Sequence, residues 1–318
     1  MNAAAVVLHY HRVAQPATDV NRLCISPDVF AEQLDVLRQS WELVSLAYLA
    51  ETRSQAGRRR LAAITFDDGY ADNLHAASPL LERFGAPATV FVATAYIGCE
   101  AGFWWDRLEH LVMGAEEVPA TLRVTVGVRT RRLYTGLLLR RAWAGAWRRN
   151  SDRRTQLYLR LRSLLLTARH SERESALEDL ARQFAIDLPF PSGSRIMSAA
   201  ELRDLVRGGL VTVGAHTATH PVLSSLPAEE QFAEISQSRS ELEAAIGTTV
   251  DQFAYPYGFP SSVSTETVSA VRKAGFGLAC TTEPGAVGPA TDLLRLPRLT
   301  VSNWSGHELA RRLERLAT

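Results

Sequence analysis

Hydrophobic and polar positions repeat along the chain with two periods, which predict short buried strands separated by amphipathic helices. Apolar or β-branched runs predict strands over 3–8, 61–66, 88–93, 210–215, 251–255, 276–281 and 294–301. Apolar residues three or four apart predict a helix after Ser26-Pro27 and helices over 71–84, 227–246 and 264–274. Strands that alternate with helices form a parallel sheet. The pattern therefore predicts an α/β fold, either a (β/α) barrel or a doubly wound open sheet.

This alternation stops in the middle of the chain, which divides it into 1–102, 103–195 and 196–318. The middle part mixes apolar residues with many arginines and predicts a mostly helical insertion, a lid or subdomain between two halves of one domain. The arginines are Arg129, Arg131, Arg132, Arg140, Arg141, Arg148, Arg149, Arg153, Arg154, Arg160 and Arg162. Three interpretations of these arginines stay open. They would form a solvated face, a lid over an anionic substrate, or a contact with a membrane surface. No nucleic-acid-reading motif accompanies them, so nucleic acid is not an expected partner.

Composition and charge leave room for a large core and exclude few functions. The chain has 318 residues, is 46% hydrophobic and carries a net charge of +1, so it shows no overall attraction to polyanions. Its three cysteines are too scattered for a disulfide framework or a zinc ribbon. We see no signal peptide and no membrane-spanning run, and we expect a cytoplasmic protein. The oligomeric state is not predicted.

Two clusters of polar residues each follow a predicted strand. Asp67 and Asp68 come directly after 61–66, and His216 and His220 follow 210–213. An Asp-Asp-Gly turn in solvent would explain the first cluster alone. Histidines four apart, however, reach one ion from a helical turn or tight loop, and a carboxylate with two imidazoles suits a catalytic divalent metal. We expect Zn²⁺, while Co²⁺, Ni²⁺ or Fe²⁺ also suit this set.

Three segments resemble, in order, motifs of the polysaccharide deacetylase (NodB-homology, carbohydrate esterase family 4-like) family. They are Thr65-Phe66-Asp67-Asp68-Gly69, His216-Thr217-Ala218-Thr219-His220 and Phe253-Ala254-Tyr255-Pro256-Tyr257-Gly258. The resemblance covers about 1–100 and 196–303. It implies an irregular (β/α)7-type barrel and metal-dependent removal of the acetyl group from an N-acetylated amino sugar, in a glycan, sugar nucleotide, lipid-linked sugar or glycosylated metabolite.

The same resemblance implies the role of each motif residue. Asp68, His216 and His220 would hold the metal, and Asp67 would act as the general base. The backbone N–H of Tyr257 would stabilise the oxyanion. The family motif alone implies that Asp67 is the base and Asp68 the metal ligand, because the sequence does not distinguish the two aspartates.

The pair Tyr10-His11 is similar to an N-terminal Tyr-His pair in the circularly permuted poly-N-acetylglucosamine deacetylase branch. The resemblance makes His11 the general acid and Tyr10 a substrate contact. The chain also lacks the usual C-terminal Leu-x-His motif of the family. We expect His9 to lie on the opposite face of the strand.

The third motif departs from the family, because Tyr255 stands where an arginine usually orients the base. Arg295 or Arg298 could replace that arginine, and we choose Arg298. Tyr255 would then contact substrate. We also expect substrate contacts from Trp104 and Trp105, although a tryptophan pair also suits a core.

Two other functions stay open on the sequence. A non-catalytic, carbohydrate-binding relative would explain the missing arginine of the third motif. The same residues could also hydrolyse another amide such as a formamide, because one methyl group changes discrimination by only about 1–3 kcal/mol.

Overall fold

The computed structural model describes residues 5–55, 59–135, 153–186 and 193–317. They form two compact units: Met1–Cys99 together with Ile196–Thr318, and Glu100–Arg195. We call them the barrel unit and the insertion unit and describe each by itself. Among the described residues, no helix combines the length and the apolar character needed to cross a bilayer.

The described residues of the barrel unit contain the parallel strands β1 Ala5–Tyr10, β4 Glu42–Leu43, β5 Leu61–Phe66, β6 Ala88–Val92, β9 Val211–Ala215, β10 Gln252–Ala254, β11 Leu278–Cys280 and β12 Leu299–Thr300. Seven of them form one sheet in the spatial order β11-β10-β9-β6-β5-β1-β12, and the short β4 pairs with β5. Two further short strands, β2 Arg12–Val13 and β3 Cys24–Ile25, pair with each other. The sheet curls as in (β/α)7 barrels, which confirms the predicted barrel. The doubly wound alternative is wrong.

Six of the described helices of the barrel unit cover the outer face of this sheet: Pro27–Ser40, Ser78–Phe84, Ala199–Arg207, Ala228–Ile246, Thr265–Lys273 and Gly306–Ala317. The helix Leu46–Thr52 instead packs Leu46, Leu49 and Ala50 against the inner face. The predicted helix over 71–84 begins instead as a π-helical turn, Asn73–Ala77. Ser26 begins the first helix as predicted, because its hydroxyl accepts a hydrogen bond from the Val29 amide.

Strand alternation sorts the side chains of the barrel into two cores. Val6 and Leu8 of β1 pack outward under the helices, whereas Ala5 and Val7 face the interior of the sheet. His9 follows this second set, because side chains two apart share a face. The interior is narrow: a Cβ atom on Gly214 would lie 2.5 Å from the Phe91 ring.

The segment before β12 links the two edges of the curled sheet. Ala279 and Thr281 donate backbone hydrogen bonds of 2.8 and 2.9 Å to Leu293 and Leu296. A few residues later, β12 pairs in parallel with β1. The predicted strand over 294–301 is therefore irregular, and only Leu299–Thr300 is regular strand.

The insertion unit contains more than the predicted helices. Within the described residues of this unit, the helices are Trp104–Gly114, Arg153–Leu165 and His170–Phe184. Residues 121–134 form an antiparallel hairpin of β7 Thr121–Val126 and β8 Arg129–Tyr134, so the helical prediction is wrong there. Gly127 lies at the hairpin turn with a positive φ of 56°.

The arginines of the insertion unit have more than one environment. Arg129, Arg131 and Arg132 lie exposed on β8. Arg154 instead donates hydrogen bonds to the carbonyls of Val112, Met113 and Ala115, at the end of the helix Trp104–Gly114. A cation at that position satisfies carbonyls that the helix leaves unpaired. Arg140, Arg141, Arg148 and Arg149 lie outside the described residues.

Candidate metal and catalytic site

The loops after β5, β9 and β10 carry a cluster of strained backbone. Asp68, Thr217, His220 and Tyr257 have φ between 56° and 77°, a region that side chains other than glycine rarely adopt. Strained residues of this kind persist where the surrounding fold holds them, and they concentrate at functional sites. For Asp68 the positive φ breaks the strand alternation, so its carboxylate and that of Asp67 both approach His216.

Asp68, His216 and His220 converge on one point. Asp68 Oδ1 lies 3.3 Å from His220 Nε2 and 3.7 Å from His216 Nε2, and their ligand atoms lie within 4.8 Å of one another. All three residues are buried. Asp68 Oδ1 has no hydrogen-bond partner among the described residues. A buried carboxylate oxygen without a donor is costly, and a divalent cation would compensate it.

The protonation of these groups suits a metal. His216 Nδ1 lies 2.7 Å from the Ala254 carbonyl, to which it donates, and this leaves the lone pair of Nε2 for a ligand. Burial lowers the pKa of His216 to about 4, so its ring is neutral at neutral pH. Burial also raises the pKa of the Asp68 carboxyl, a shift that a bound cation would oppose, because a nearby positive charge favours the carboxylate. With Asp68 ionised in this way, one oxygen and two imidazole nitrogens fit the predicted divalent ion.

Asp67 is held on the inner face of β5 by Arg298. Its Oδ1 and Oδ2 accept 2.7 Å hydrogen bonds from the two terminal nitrogens of Arg298. The guanidinium also donates to the Thr281 carbonyl and to Thr65 Oγ1, and it is fully buried. Burial alone would raise the pKa of Asp67, but Arg298, His9 and His216 together lower it well below its usual range. Asp67 is thus a carboxylate at neutral pH.

His9 lies beside Asp67 and not on the opposite strand face, so that prediction is wrong. Its Nε2 is 2.9 Å from Asp67 Oδ2, and its ring centroid is 4.5 Å from that of His11. Residues two apart on a strand share a face, and the alternation of β1 was sufficient to predict this. His11 is also next to the proposed base, since the ligand atoms of His9, His11 and Asp67 lie within 4.8 Å of one another. Burial, followed by the effect of His9, lowers the pKa of His11 to about 3.

Comparison with known proteins agrees with this geometry. The family model "Polysaccharide deacetylase" matches residues 54–118 and 178–279, about half of the chain. The chain belongs to the polysaccharide deacetylase family. The matched segments contain Asp67, Asp68, His216, His220 and Tyr257. The three positions His9, His11 and Arg298 lie outside them, so their place in the site rests on the geometry.

Curated relatives and solved structures from this family resemble the chain at low identity. The poly-beta-1,6-N-acetyl-D-glucosamine N-deacetylase of Escherichia coli K12 is 21% identical over 302 residues, which cover 94% of this chain and 36% of the relative. The putative polysaccharide deacetylase YxkH of Bacillus subtilis is 26% identical over 106 residues, 33% of this chain and 37% of the relative. The chain thus spans little more than a third of the length of these curated relatives.

Two solved structures show the same fold. IcaB from Ammonifex degensii superposes with a TM-score of 0.60 at 22% identity, over 97% of this chain and 96% of the other. The Streptococcus pyogenes deacetylase PplD in complex with acetate gives a TM-score of 0.60 at 16% identity, over 98% of each chain.

The predicted substrate contacts through Tyr10 and Tyr255 are wrong. Both side chains are buried in the core under the helices. Tyr10 donates its hydroxyl to Gln33 Oε1 at 3.1 Å, and Tyr255 donates to the Leu294 carbonyl at 2.8 Å. Tyr255 therefore packs in the core instead of orienting Asp67, and the guanidinium comes from Arg298, in the segment before β12.

Trp104 and Trp105 are buried in the insertion unit. Arg173 lies over the Trp104 ring at 5.4 Å, and Phe103 stacks on Trp105 with centroids 4.3 Å apart. Both rings fill the interior of this unit and present no face for a sugar, so the predicted contact through them is wrong.

Tyr257 lies in the site, but its predicted use of the backbone N–H stays a prediction. Its ring meets the His220 ring edge-on, with centroids 4.9 Å apart. The Tyr257 carbonyl accepts a 2.7 Å hydrogen bond from Thr282 Oγ1. These two contacts hold the turn of the third motif in place at Tyr257.

Glu234 supports the histidine loop and was missed by the sequence analysis. From the helix Ala228–Ile246, its Oε2 accepts hydrogen bonds from the Ala218 and Thr219 amides at 3.0 and 2.8 Å. Its Oε1 accepts from the Thr219 hydroxyl at 2.6 Å. Nothing in the sequence distinguishes Glu234 from the other glutamates of this helix, because the contact depends on how the helix packs.

Proposed function

We propose that this chain is a metal-dependent N-deacetylase that hydrolyses the acetamide of an N-acetylated amino sugar. The observation that carries the proposal is the position of Asp67. Its carboxylate is clamped by Arg298 and its Oδ2 lies 3.9 Å from His216 Nε2, at the edge of the three proposed metal ligands. The E. coli relative, which carries an N-deacetylase name, supports the same reaction.

The residues divide the chemistry among them. A divalent ion held by Asp68, His216 and His220 would polarise the amide carbonyl and make a water molecule nucleophilic at neutral pH. Asp67 takes a proton from the attacking water. The backbone N–H of Tyr257 donates to the oxygen that becomes negative.

His11 completes the reaction by protonating the leaving nitrogen. An amine must leave with a proton, because an amide anion is too basic to depart. Burial keeps His11 neutral before the reaction, so it must first gain a proton. Asp67 takes that proton from water and passes it to His11, whose ring nitrogen lies within 4.8 Å of the Asp67 carboxylate.

The contact between Arg298 and Asp67 removes the main support for the non-catalytic alternative. That alternative depended on the missing arginine of the third motif, and Arg298, in the segment before β12, provides a guanidinium bound to the proposed base. A binding protein has no need of a buried, oriented base. Formamide hydrolysis would use the same residues, so only a comparison of acetamide and formamide substrates distinguishes it from deacetylation.

Acetate release by zinc-loaded protein tests the proposal. The panel includes free acetamido sugars, sugar nucleotides, lipid-linked sugars and β-1,6- and β-1,4-linked oligomers, each beside its formamido counterpart. We expect acetate from at least one member and faster turnover than of the formamide. Preference for a phosphorylated member would support an anionic substrate. No acetate from any member by protein with one zinc per chain would contradict the proposal.

The cytoplasmic location stays a prediction, which cell fractionation tests.

A further inference from the structure

A path of close polar contacts leads from Asp67 through His9 to the last strand of the barrel. His9 Nε2 is 2.9 Å from Asp67 Oδ2, and His9 Nδ1 is 3.0 Å from Thr300 Oγ1. His9 and Thr300 are directly opposite each other in the parallel pairing of β1 with β12. The His9 ring is 3% exposed and is therefore shielded from water, whereas Thr300 is exposed, so its hydroxyl holds the ring from the solvent side.

The chemistry of the two ends determines which atom donates. Asp67, paired with Arg298, is a carboxylate and only accepts, so a hydrogen between it and His9 belongs to Nε2. Burial, followed by the charge of Arg298, lowers the pKa of His9, so its ring carries one proton. With that proton on Nε2, Nδ1 is an acceptor and the Thr300 hydroxyl donates to it.

The contact between His9 and Asp67 is close but not aligned as a hydrogen bond, since Nε2 lacks a partner of good geometry among the described residues. Catalytic hydrogen bonds are often poorly aligned without substrate and tighten when it binds. The rotation of the His9 ring therefore controls the contact, and Thr300 is the group that holds the other side of the ring.

We propose that Thr300 and His9 are positioning residues that orient the base Asp67, with Thr300 fixing the tautomer and rotation of His9. The inference rests on the proposed function, because it assigns Asp67 the role of base. Arg298 contacts both carboxylate oxygens of Asp67 and so sets the plane of the group. His9 contacts only Oδ2 and approaches it from a different direction. Contacts from two distant parts of the chain restrict the carboxylate more than the two hydrogen bonds from Arg298 do by themselves.

The matched variants Thr300→Val and Thr300→Ser test this arrangement. Valine keeps the shape but lacks the hydroxyl, whereas serine keeps it. We expect Thr300→Val to lower kcat about tenfold with KM and Tm unchanged, and Thr300→Ser to keep the wild-type kcat; misplacing a catalytic group by 1 Å costs up to about 100-fold. In a His9→Asn background, Thr300→Val should have no further effect, because both substitutions break one path. Equal kcat values for the valine and serine variants would overturn the proposal.

A second measurement does not need turnover. Long-range proton–nitrogen spectra of protein labelled with ¹⁵N-histidine report the tautomer, and His9→Asn identifies the His9 signals. We expect a protonated Nε2 and an unprotonated Nδ1, and a changed Nδ1 shift in Thr300→Val. A protonated Nδ1 would overturn the proposal. Two zinc ions per chain in the wild type and one in His9→Asn would also overturn it, because His9 would then be a metal ligand. Failure of the proposed function looks different: the wild type releases no acetate, while the His9 signals still show Nε2 protonated.

Discussion

Arg298 binds Asp67 through two parallel hydrogen bonds of 2.7 Å, although 231 positions separate them in the sequence. Parallel bonds of this kind fix both distance and plane. The segment that links the two edges of the sheet also carries this guanidinium, so barrel closure and orientation of the proposed base depend on the same stretch of chain.

Arg298→Lys should lower kcat by about 100-fold, because an ammonium group keeps the charge but cannot form the planar fork. Breaking a buried ion pair also costs stability, about 3–5 kcal/mol when one partner is lost entirely, so we expect a smaller loss with lysine. Steady-state kinetics and thermal unfolding measure both. The control is Arg295→Lys, three residues away, which should behave as wild type. A fully active Arg298→Lys would contradict the orienting role.

Zinc should raise the Tm of the wild type and not that of Asp68→Asn. A ligand present at 100 times its Kd stabilises the folded state by about 2.7 kcal/mol, and the substitution removes the charged oxygen that faces both imidazoles. Differential scanning calorimetry after chelation, with and without added zinc, measures the shift. Asp204→Asn, at an exposed ion pair with Arg207, should keep the full zinc effect. A zinc-dependent shift in Asp68→Asn would exclude Asp68 as a ligand.

Glu234→Ala should weaken zinc binding by about 10–100-fold, the range seen for residues that hold metal ligands in place. The substitution removes three hydrogen bonds from the loop between His216 and His220. Competition with a chromogenic chelator measures the affinity. Glu229→Ala, on the exposed face of the same helix, should leave it unchanged. Equal affinities for the two variants would show that the loop needs no support.

Gly214→Ala should lower the free energy of unfolding by about 1–3 kcal/mol through overpacking. The added Cβ would lie 2.5 Å from the Phe91 ring and 2.9 Å from the Gln252 carbonyl. Urea unfolding measures the change. Gly208→Ala has no atom within 4 Å of its Cβ and should be neutral. A neutral Gly214→Ala would mean that the barrel interior adapts more easily than its packing indicates.

Local patterns predicted the parallel sheet and the motif loops well. The apolar run of Leu61–Phe66 forms a strand with the predicted bounds, and the two histidines four apart meet Asp68 as their spacing suggested. These features depend on neighbouring residues and on the rule that parallel strands end at one edge. They are therefore readable from the sequence without the three-dimensional structure.

Other features depend on packing between distant segments. From the sequence, Arg295 and Arg298 were both candidates for the arginine that orients Asp67. Only the closure of the barrel shows that Arg298 reaches it. The positive φ of Asp68 reverses the strand alternation on which the sequence analysis relied. The hairpin in the insertion unit was hidden by arginines on β8, which interrupt the alternation of apolar and polar residues.

In the proposed reaction, Asp67 acts as the base beside a metal that it does not hold. Wild type and Asp67→Asn are compared by measuring zinc per chain and acetate release on the best substrate of the panel. We predict one zinc per chain in both proteins, with kcat lowered at least about 100-fold in the variant. Normal turnover by Asp67→Asn would show that Asp67 is not the base, and loss of its zinc would show that Asp67 holds the metal.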